Sequence, residues 1–427
     1  DIDFYGGVDF RFYKGTHTND IVDLYGGKYF IDSTRKSVKP ENNANAANQS
    51  WVYQKLGVGD AVYRDYDGHV VQEGAFFQAE YSKNGLSSFL SGSLSNTSYW
   101  RYDRLYYDKK NAESETKNYL GFTVKGGANY NFNEHHNAFF NVGYISRAPK
   151  FNYGAFLSFA SSNVTNPDAK NEKVVSFELG YGYRLKWLQV DVNAYWTKWL
   201  DKTMAKSSTV GTAQVDAFVN MTGVNALHKG IEIEAKASPL YWLDVNAMFS
   251  IGDWKWDSNA KGYVFDYNGQ PLTKDGSIAS GIGAEDHLST GINLKGIHVG
   301  GAAQTTAALG ATIKIGKEIR IGADWTLYAR NYAYYSISGS NLSLGKTNTV
   351  ADPWRVPTAS QFDLNASYKF KIAGLNATIS GNVNNLFDYQ YLGKVWNPSS
   401  GTATKDNIYG FYAFGRTFST RLKINFY

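Results

Sequence analysis

Seven histidines and 38 acidic residues are the groups through which this 427-residue chain could do acid–base or metal chemistry, because it contains no cysteine. Disulfides and thiolate metal or redox centres are thereby excluded. His135 and His136 are the one adjacent histidine pair. Neighbouring side chains on a short turn point apart, and only Glu134 is close in sequence, so a solvated turn is expected rather than a metal site. Glu232 and Glu234 share a strand face if the segment is extended. Such a pair could serve as acid and base in a hydrolase; the expected role is lining a polar interior and contacting water or an enclosed partner. Serine, histidine and aspartate occur at no spacing that isolates a nucleophilic set. No catalytic residues, metal or cofactor are expected, and the chain does not read as an enzyme.

Aromatic residues make up 16% of the chain, and many fall in polar stretches between apolar segments. Trp51, Tyr53, Tyr63, Tyr153, Phe156, Trp254, Tyr335 and Trp396 are candidate ligand contacts in loops, alongside Tyr66, Tyr106, Tyr107, Phe159, Trp256 and Trp354. As a group they could stack on a chelate, a corrin ring or a sugar; the competing role is mutual packing and interfacial anchoring. Arg147 adds a cation at the end of an extended segment, suited to a ligand anion or to a structural salt bridge.

These residues need elements to hold them, and the chain's dominant pattern is a period of two. Leu120, Phe122, Val124, Gly126, Ala128, Tyr130 and Phe132 fall on one face, with Thr123, Lys125, Asn129 and Asn131 on the other. Leu188–Trp196, Ile319–Leu327 and Phe362–Ile372 repeat the pattern. Side chains of a strand alternate between faces, so each segment has one apolar and one polar face. About fourteen such segments begin near residues 2, 70, 86, 118, 137, 172, 187, 217, 241, 300, 318, 360, 375 and 408. Most exceed the ~9–11 residues that a tilted membrane strand needs. Short turns are expected at Lys83–Gly85, Asn133–His136, Lys186–Trp187, Ser238–Leu240, Gly316–Lys317 and Ala373–Gly374. Long loops are expected at 15–69, 102–117, 148–171, 202–216, 256–299, 333–358 and 388–407. Tight turns at one end and long loops at the other are the asymmetry of outer-membrane barrels.

Mean hydropathy is −0.40, and no run of about 18 apolar residues marks a spanning helix. A net charge of +5 spread among acids forms no basic stripe, so no nucleic-acid partner is expected. Aromatics near strand ends, such as Tyr81, Tyr144, Trp187, Trp196, Trp242 and Phe370, sit where interfacial girdles fall. The expectation is an all-β, antiparallel, up-and-down transmembrane barrel whose apolar face meets outer-membrane lipid. A soluble β-sandwich is the structural alternative. The chain opens at Asp1 with a strand and no export signal, so a signal has been removed or the protein starts elsewhere.

Five local patterns, in order along 141–427, resemble the barrel of TonB-dependent outer-membrane receptors. They are Asn141–Asn152 around Arg147-Ala-Pro, Asn171–Gly180, Phe218–Gly223 followed by His228–Glu234, Val383–Asp388, and Gly415–Thr417 running into the final strand. The long Tyr- and Gly-rich strands resemble receptors of the Bacteroidetes type. Within these motifs the resemblance assigns structural roles to Asn220, Gly230, Glu232, Asn385, Phe387 and Asp388. The asparagines and Asp388 are expected to satisfy backbone groups where strands bend, and Gly230 to permit a bulge or close backbone approach.

The resemblance implies a 22-stranded barrel with a plug domain and a TonB-contacting segment, importing a nutrient too large for porins. Neither plug nor TonB segment is visible in this chain. Residues 1–427 are therefore expected to be the C-terminal portion of such a barrel. The implied partners are outer-membrane lipid, the missing plug, TonB, a surface lipoprotein and a small-molecule ligand such as an iron–siderophore, haem, cobalamin or a glycan. A passive fourteen-stranded channel and a barrel enzyme or adhesin are the alternatives. Tyr427 falls one place beyond the usual aromatic terminus.

Overall fold

The structure, a computed structural model, describes residues 2–157, 162–266, 268–335, 342–398 and 402–426. The strands are β1 (Ile2–Asp20), β2 (Ala61–Lys83), β3 (Leu86–Asp103), β4 (Lys117–Asn131), β5 (His136–Arg147), β6 (Glu172–Arg184) and β7 (Leu188–Val210). They continue with β8 (Val215–Leu240), β9 (Leu243–Trp256), β10 (Ala260–Asp266), β11 (Ser289–Asn293), β12 (Ala303–Ile315) and β13 (Ile319–Asn331). The last are β14 (Thr347–Thr349), β15 (Ala359–Ile372), β16 (Leu375–Asn384), β17 (Leu392–Trp396), β18 (Tyr409–Tyr412) and β19 (Thr417–Asn425).

Seventeen strands form one sheet. Fourteen of them run in an antiparallel meander, β1 to β9 in sequence order and then β12, β13, β15, β16 and β19. β10, β11 and β14 are short additions on the long-loop side, and β11–β14 is a parallel contact. Among the described residues no ladder joins β1 to β19, so the sheet has two free edges. The first thirteen long strands start within a few residues of the expected places, apart from β2, which begins at Ala61. The fourteenth starts at Thr417 rather than near 408, because 409–412 pairs instead with β17 in a separate hairpin.

Alternation and register together define two surfaces. Phe4, Leu94, Leu120, Phe140, Leu179, Ile231, Leu309 and Phe362 lie on the outer face and are exposed, Phe4 by 77% and Leu179 by 64%. Each such side chain gains about 1.5–3 kcal/mol when removed from water, so an uninterrupted array of them requires an apolar surrounding. The opposite face is polar: the directly paired residues Asp3, Glu80, Phe89, Gly127, Asn141, Glu178 and Tyr195 form one rung across seven strands.

The short turns sit at one end as expected. Asn84 and Gly85 both have positive φ, 51° and 82°, the two-residue geometry that matches strand twist. One turn is displaced. Ser238–Pro239–Leu240 belongs to β8, and Tyr241–Trp242 makes the turn to β9. The expected loop at 202–216 is also corrected: β7 and β8 continue through it as a ladder to Val210–Val215 and turn at 211–214. Apolar residues explain the extension. Ala217, Val219, Met221, Val264, Leu272 and Ile292 form a buried core at the long-loop end, built where β10 adds to β8. The 15–69 loop shrinks to 21–60 as β1 and β2 extend, and carries three short helical turns, Ser33–Ser37, Ala44–Ala47 and Gln49–Val52.

Candidate functional site

The long-loop end is held by a small number of buried polar groups. Asp32 is fully buried and accepts hydrogen bonds from Thr34 N at 3.0 Å, Tyr63 N at 3.3 Å and the Tyr106 hydroxyl at 2.6 Å. It thus ties loop 21–60 to the start of β2 and to loop 104–116. Burial and the Asp32 carboxylate raise the Tyr106 phenol above its ordinary value. Arg104 forks onto Asp65, at 2.6 and 2.9 Å, and reaches Asp67 at 2.8 Å, where Lys14 also arrives at 2.9 Å. Hydrogen bonds to these two carboxylates raise the guanidinium's proton affinity.

Arg101 fixes loop 148–171. Its guanidinium is buried, 4.4 Å from the Tyr66 ring centre and 4.6 Å from that of Phe156, and donates to Ser162 O at 2.6 Å and to Asn152 Oδ1. Phe156 is 0% exposed. Its expected place among exposed loop aromatics is therefore corrected, and the same holds for Tyr66, Tyr106 and Trp256, which are also buried. Each closes over a neighbouring polar group or apolar core in the loops.

Arg147 lies at the outer end of β5 and pairs with Glu172 at 2.7 Å. Glu172 is buried, whereas half of the Arg147 side chain is exposed. Trp199 lies between two cations: Arg147 Cζ is 5.5 Å and Lys202 Nζ 4.8 Å from its ring centre. The β7–β8 ladder is irregular between Trp199 and Met204, and Asp201 has φ 57° there. Bulges re-aim side chains in this way. Deeper on the same face, Trp254 Nε1 donates to the Tyr195 hydroxyl at 2.9 Å. That hydroxyl occupies the space above Gly230, where a Cβ would lie 2.6 Å from it. Gly230 lies under this close approach, and its strand is regularly paired, without a bulge at that position.

The other candidates are dispersed around the rim. Trp51 is covered by Arg35 at 4.9 Å, exposed Tyr53 by Lys36 at 5.2 Å and Trp396 by Lys394 at 4.8 Å. Tyr63 is part-exposed and meets Phe30 edge-on. Tyr153 lies 6.2 Å from Phe218, and Tyr335 packs on the apolar core at the long-loop end. Phe159 lies outside the described residues, as does Tyr427. Recurring cation–aromatic pairs suit a ligand with anionic and flat or apolar parts. Sequence reasoning selected Tyr53 and Trp396 but missed their cations Lys36 and Lys394, and it missed Trp199 together with Lys202. The Lys394–Trp396 pair was detectable, because residues two apart share a strand face.

Among the motif residues, Asn385 is buried. It donates to Tyr389 O and Phe414 O and accepts from Tyr389 N, which anchors both ends of the last loop. Asp388 accepts from Arg416 N at 2.7 Å, and Phe387 packs edge-on against Phe362. Glu232 stands on the polar face opposite Asn193 and Ser250. Asn220 departs from expectation: it is buried, and neither side-chain polar atom has a hydrogen-bond partner. His135 and His136 bond separately, to Arg184 O and to the Tyr181 hydroxyl. No group of three or more metal-ligating His, Asp or Glu side chains occurs among the described residues.

Comparison with known proteins adds the family. A search of curated proteins finds no match. Among solved structures, the copper transporter OprC superimposes with a TM-score of 0.61 at 14% identity, covering 100% of this chain and 54% of OprC. The siderophore receptor PiuA from Acinetobacter baumannii gives 0.60 at 15% identity, over 99% of this chain and 52% of PiuA. The ferric-catecholate import receptor Fiu from E. coli K12 gives 0.57 at 14% identity, over 99% and 51%. At such identities the likeness establishes the fold, and this chain spans about half the length of each. The family model for the TonB-dependent receptor-like β-barrel matches residues 1–386. The chain belongs to the TonB-dependent receptor β-barrel family of the Gram-negative outer membrane.

Proposed function

We propose that these fourteen long strands are the C-terminal part of a 22-stranded barrel that imports a scarce nutrient with energy delivered through TonB. The observation that carries this reading is the pair of free edges at β1 and β19 in a chain matching about half of its structural relatives. A passive fourteen-stranded channel would need a β1–β19 ladder, and none is present among the described residues. Eight further strands close the wall, a plug fills its polar interior, and the outer loops capture the ligand. The cation–aromatic pairs around Trp51, Trp199 and Trp396 favour a ligand with anionic and flat parts, as in a ferric chelate or haem. Arg147 contributes to the rim by holding Trp199 in place, and a surface lipoprotein could cover the loops. The test is growth of cells lacking the receptor on ferric chelates, haem, cobalamin or glycans as sole sources. A defect on one source, restored by the receptor and lost when TonB is deleted, is expected. Unimpaired growth on every source refutes import.

A further inference from the structure

Lys202 is a half-buried cation without a counter-ion. It sits in the irregular stretch of β7, with its Nζ 4.8 Å from the Trp199 ring centre. Among the described residues no carboxylate lies within salt-bridge distance of it, because the nearby acids are committed elsewhere. Buried Glu172 holds Arg147 at 2.7 Å, and Asp201 holds Lys173 at 2.6 Å. Lys198, on the opposite face of β7, is paired with Asp257 at 2.6 Å. Inward on the polar face the next acids on β6 and β8 are Glu178, level with Tyr195, and Glu232, level with Asn193. At a strand's rise these lie about 13 and 20 Å from Trp199 along β7. The remaining charges that face Lys202 are Arg147 and Lys150, and both repel it. His228, on β8, is the other titratable group within its field and brings no negative charge in either protonation state. Burial, with Lys150 and Arg147, outweighs the attraction of Glu172 and lowers the Lys202 ammonium below its ordinary value.

We propose that Lys202 and Arg147 are a two-point anion site against Trp199, and that the imported ligand carries two anionic oxygen groups spaced to meet both. The inference rests on the import reading and narrows its ligand: an uncharged glycan does not satisfy this site. An ammonium withdrawn from water without a counter-charge is costly, and an anionic oxygen brought to it offsets that cost. Arg147 spends Nη2 on Glu172, which fixes the guanidinium while half of the side chain stays exposed. Both cations stand against one ring, at 5.5 and 4.8 Å from its centre, so at most about 10 Å separates them. That spacing is within the reach of one compact ligand bearing two carboxylates or phosphates, and the indole offers a flat surface between the charges.

The absence of cysteine allows the charge at 202 to be removed and restored. Binding of radiolabelled citrate and of inorganic pyrophosphate to the whole receptor, purified in detergent, is measured by equilibrium dialysis at low salt, with maltotriose as the uncharged probe. Citrate, pyrophosphate or both should bind, and maltotriose should not; the tighter anion shows whether the groups are carboxylates or phosphates. Lys202→Cys should weaken anion binding about tenfold. Aminoethylation of that cysteine restores the cation and should restore binding, whereas reaction with neutral methyl methanethiosulfonate should not. Lys202→Arg should bind within about threefold of the native protein, and Lys394→Gln, at the distant Trp396, should bind as the native protein does. Equal binding by Lys202→Cys and the native protein overturns the inference, as does equal weakening by Lys394→Gln, which would mean diffuse attraction by the whole rim. Failure of both anions to bind overturns it too. A growth defect on any nutrient source, restored by the receptor, would then leave import standing with a ligand of other chemistry.

Discussion

Replacing Gly230 with alanine tests whether the Tyr195–Trp254 contact is built on a missing side chain. A methyl at Gly230 would sit 2.5 Å from the Ile251 carbonyl oxygen, 2.6 Å from the Tyr195 hydroxyl and 2.8 Å from Tyr195 Cζ. The phenol can move, at the loss of its 2.9 Å hydrogen bond to Trp254, a cost of about 1 kcal/mol. The carbonyl belongs to the β8–β9 ladder and cannot move without separating the strands, and overpacking of this kind costs about 1–3 kcal/mol. Relief of glycine's entropy in a strand returns about 0.5–1 kcal/mol. Gly230→Ala should therefore destabilise by about 1–3.5 kcal/mol. Tyr195→Phe alone should cost about 1 kcal/mol, and the double variant should be less destabilised than the sum by a similar amount, since both remove the same hydrogen bond. Urea unfolding in lipid vesicles, followed by tryptophan fluorescence, measures all three. A Gly230→Ala cost below about 0.5 kcal/mol, or strict additivity with Tyr195→Phe, refutes the reasoning.

Arg147→Ala leaves Glu172 buried and unpaired, whereas Glu172→Gln leaves only a half-exposed guanidinium. The first should cost about 1–3 kcal/mol and the second under about 1 kcal/mol in the same unfolding assay. Tyr106→Phe removes a hydrogen bond to a buried carboxylate and should release loops 21–60 and 104–116 at about 1.5–3 kcal/mol, read as faster proteolysis of both. The folded Tyr106 phenol is raised above the unfolded value of 10.0, so its contribution is complete below pH 10 and declines as pH rises past it. Protease sensitivity of those loops should accordingly increase above pH 10 in the native protein, and less so in Tyr106→Phe. Asn385→Ala should expose the 386–416 segment to cleavage while leaving the β15–β16 ladder protected from hydrogen exchange.

Strand number, faces and turn positions were legible because a bilayer and a polar interior demand strict alternation, as in Leu120–Tyr130. The pattern stops being informative where the chain leaves the bilayer. Residues 202–216 read as a loop because Lys202, Lys206, Ser207 and Ser208 break the apolar face, yet the segment is strand, since its partners on β8 include Ala217, Val219 and Met221 of a separate apolar core. The fourteenth strand was placed early because Tyr409, Phe411 and Tyr412 resemble strand residues, and they are, but in the β17–β18 hairpin. The rim aromatics were recognisable as a class. Which of them are buried was not, because burial of Tyr66 and Phe156 depends on Arg101, far away in sequence. Asn385 bonds backbone groups at both ends of the last loop. The buried, unpartnered amide of Asn220 has no explanation in the described structure.

β7 and β8 are 23 and 26 residues long, about 75–85 Å at a strand's rise, against an apolar band of roughly 25 Å. The two strands are therefore a single beam immersed in two solvents. Its inner part is kept straight by lipid, and its outer part by Val219, Met221, Val264 and Ile292 in water. Detergent or thinner membranes perturb the first support and leave the second intact. The two supports meet along one hydrogen-bonded ladder at the irregular stretch from Trp199 to Met204, where Lys202 and Arg147 face the same ring.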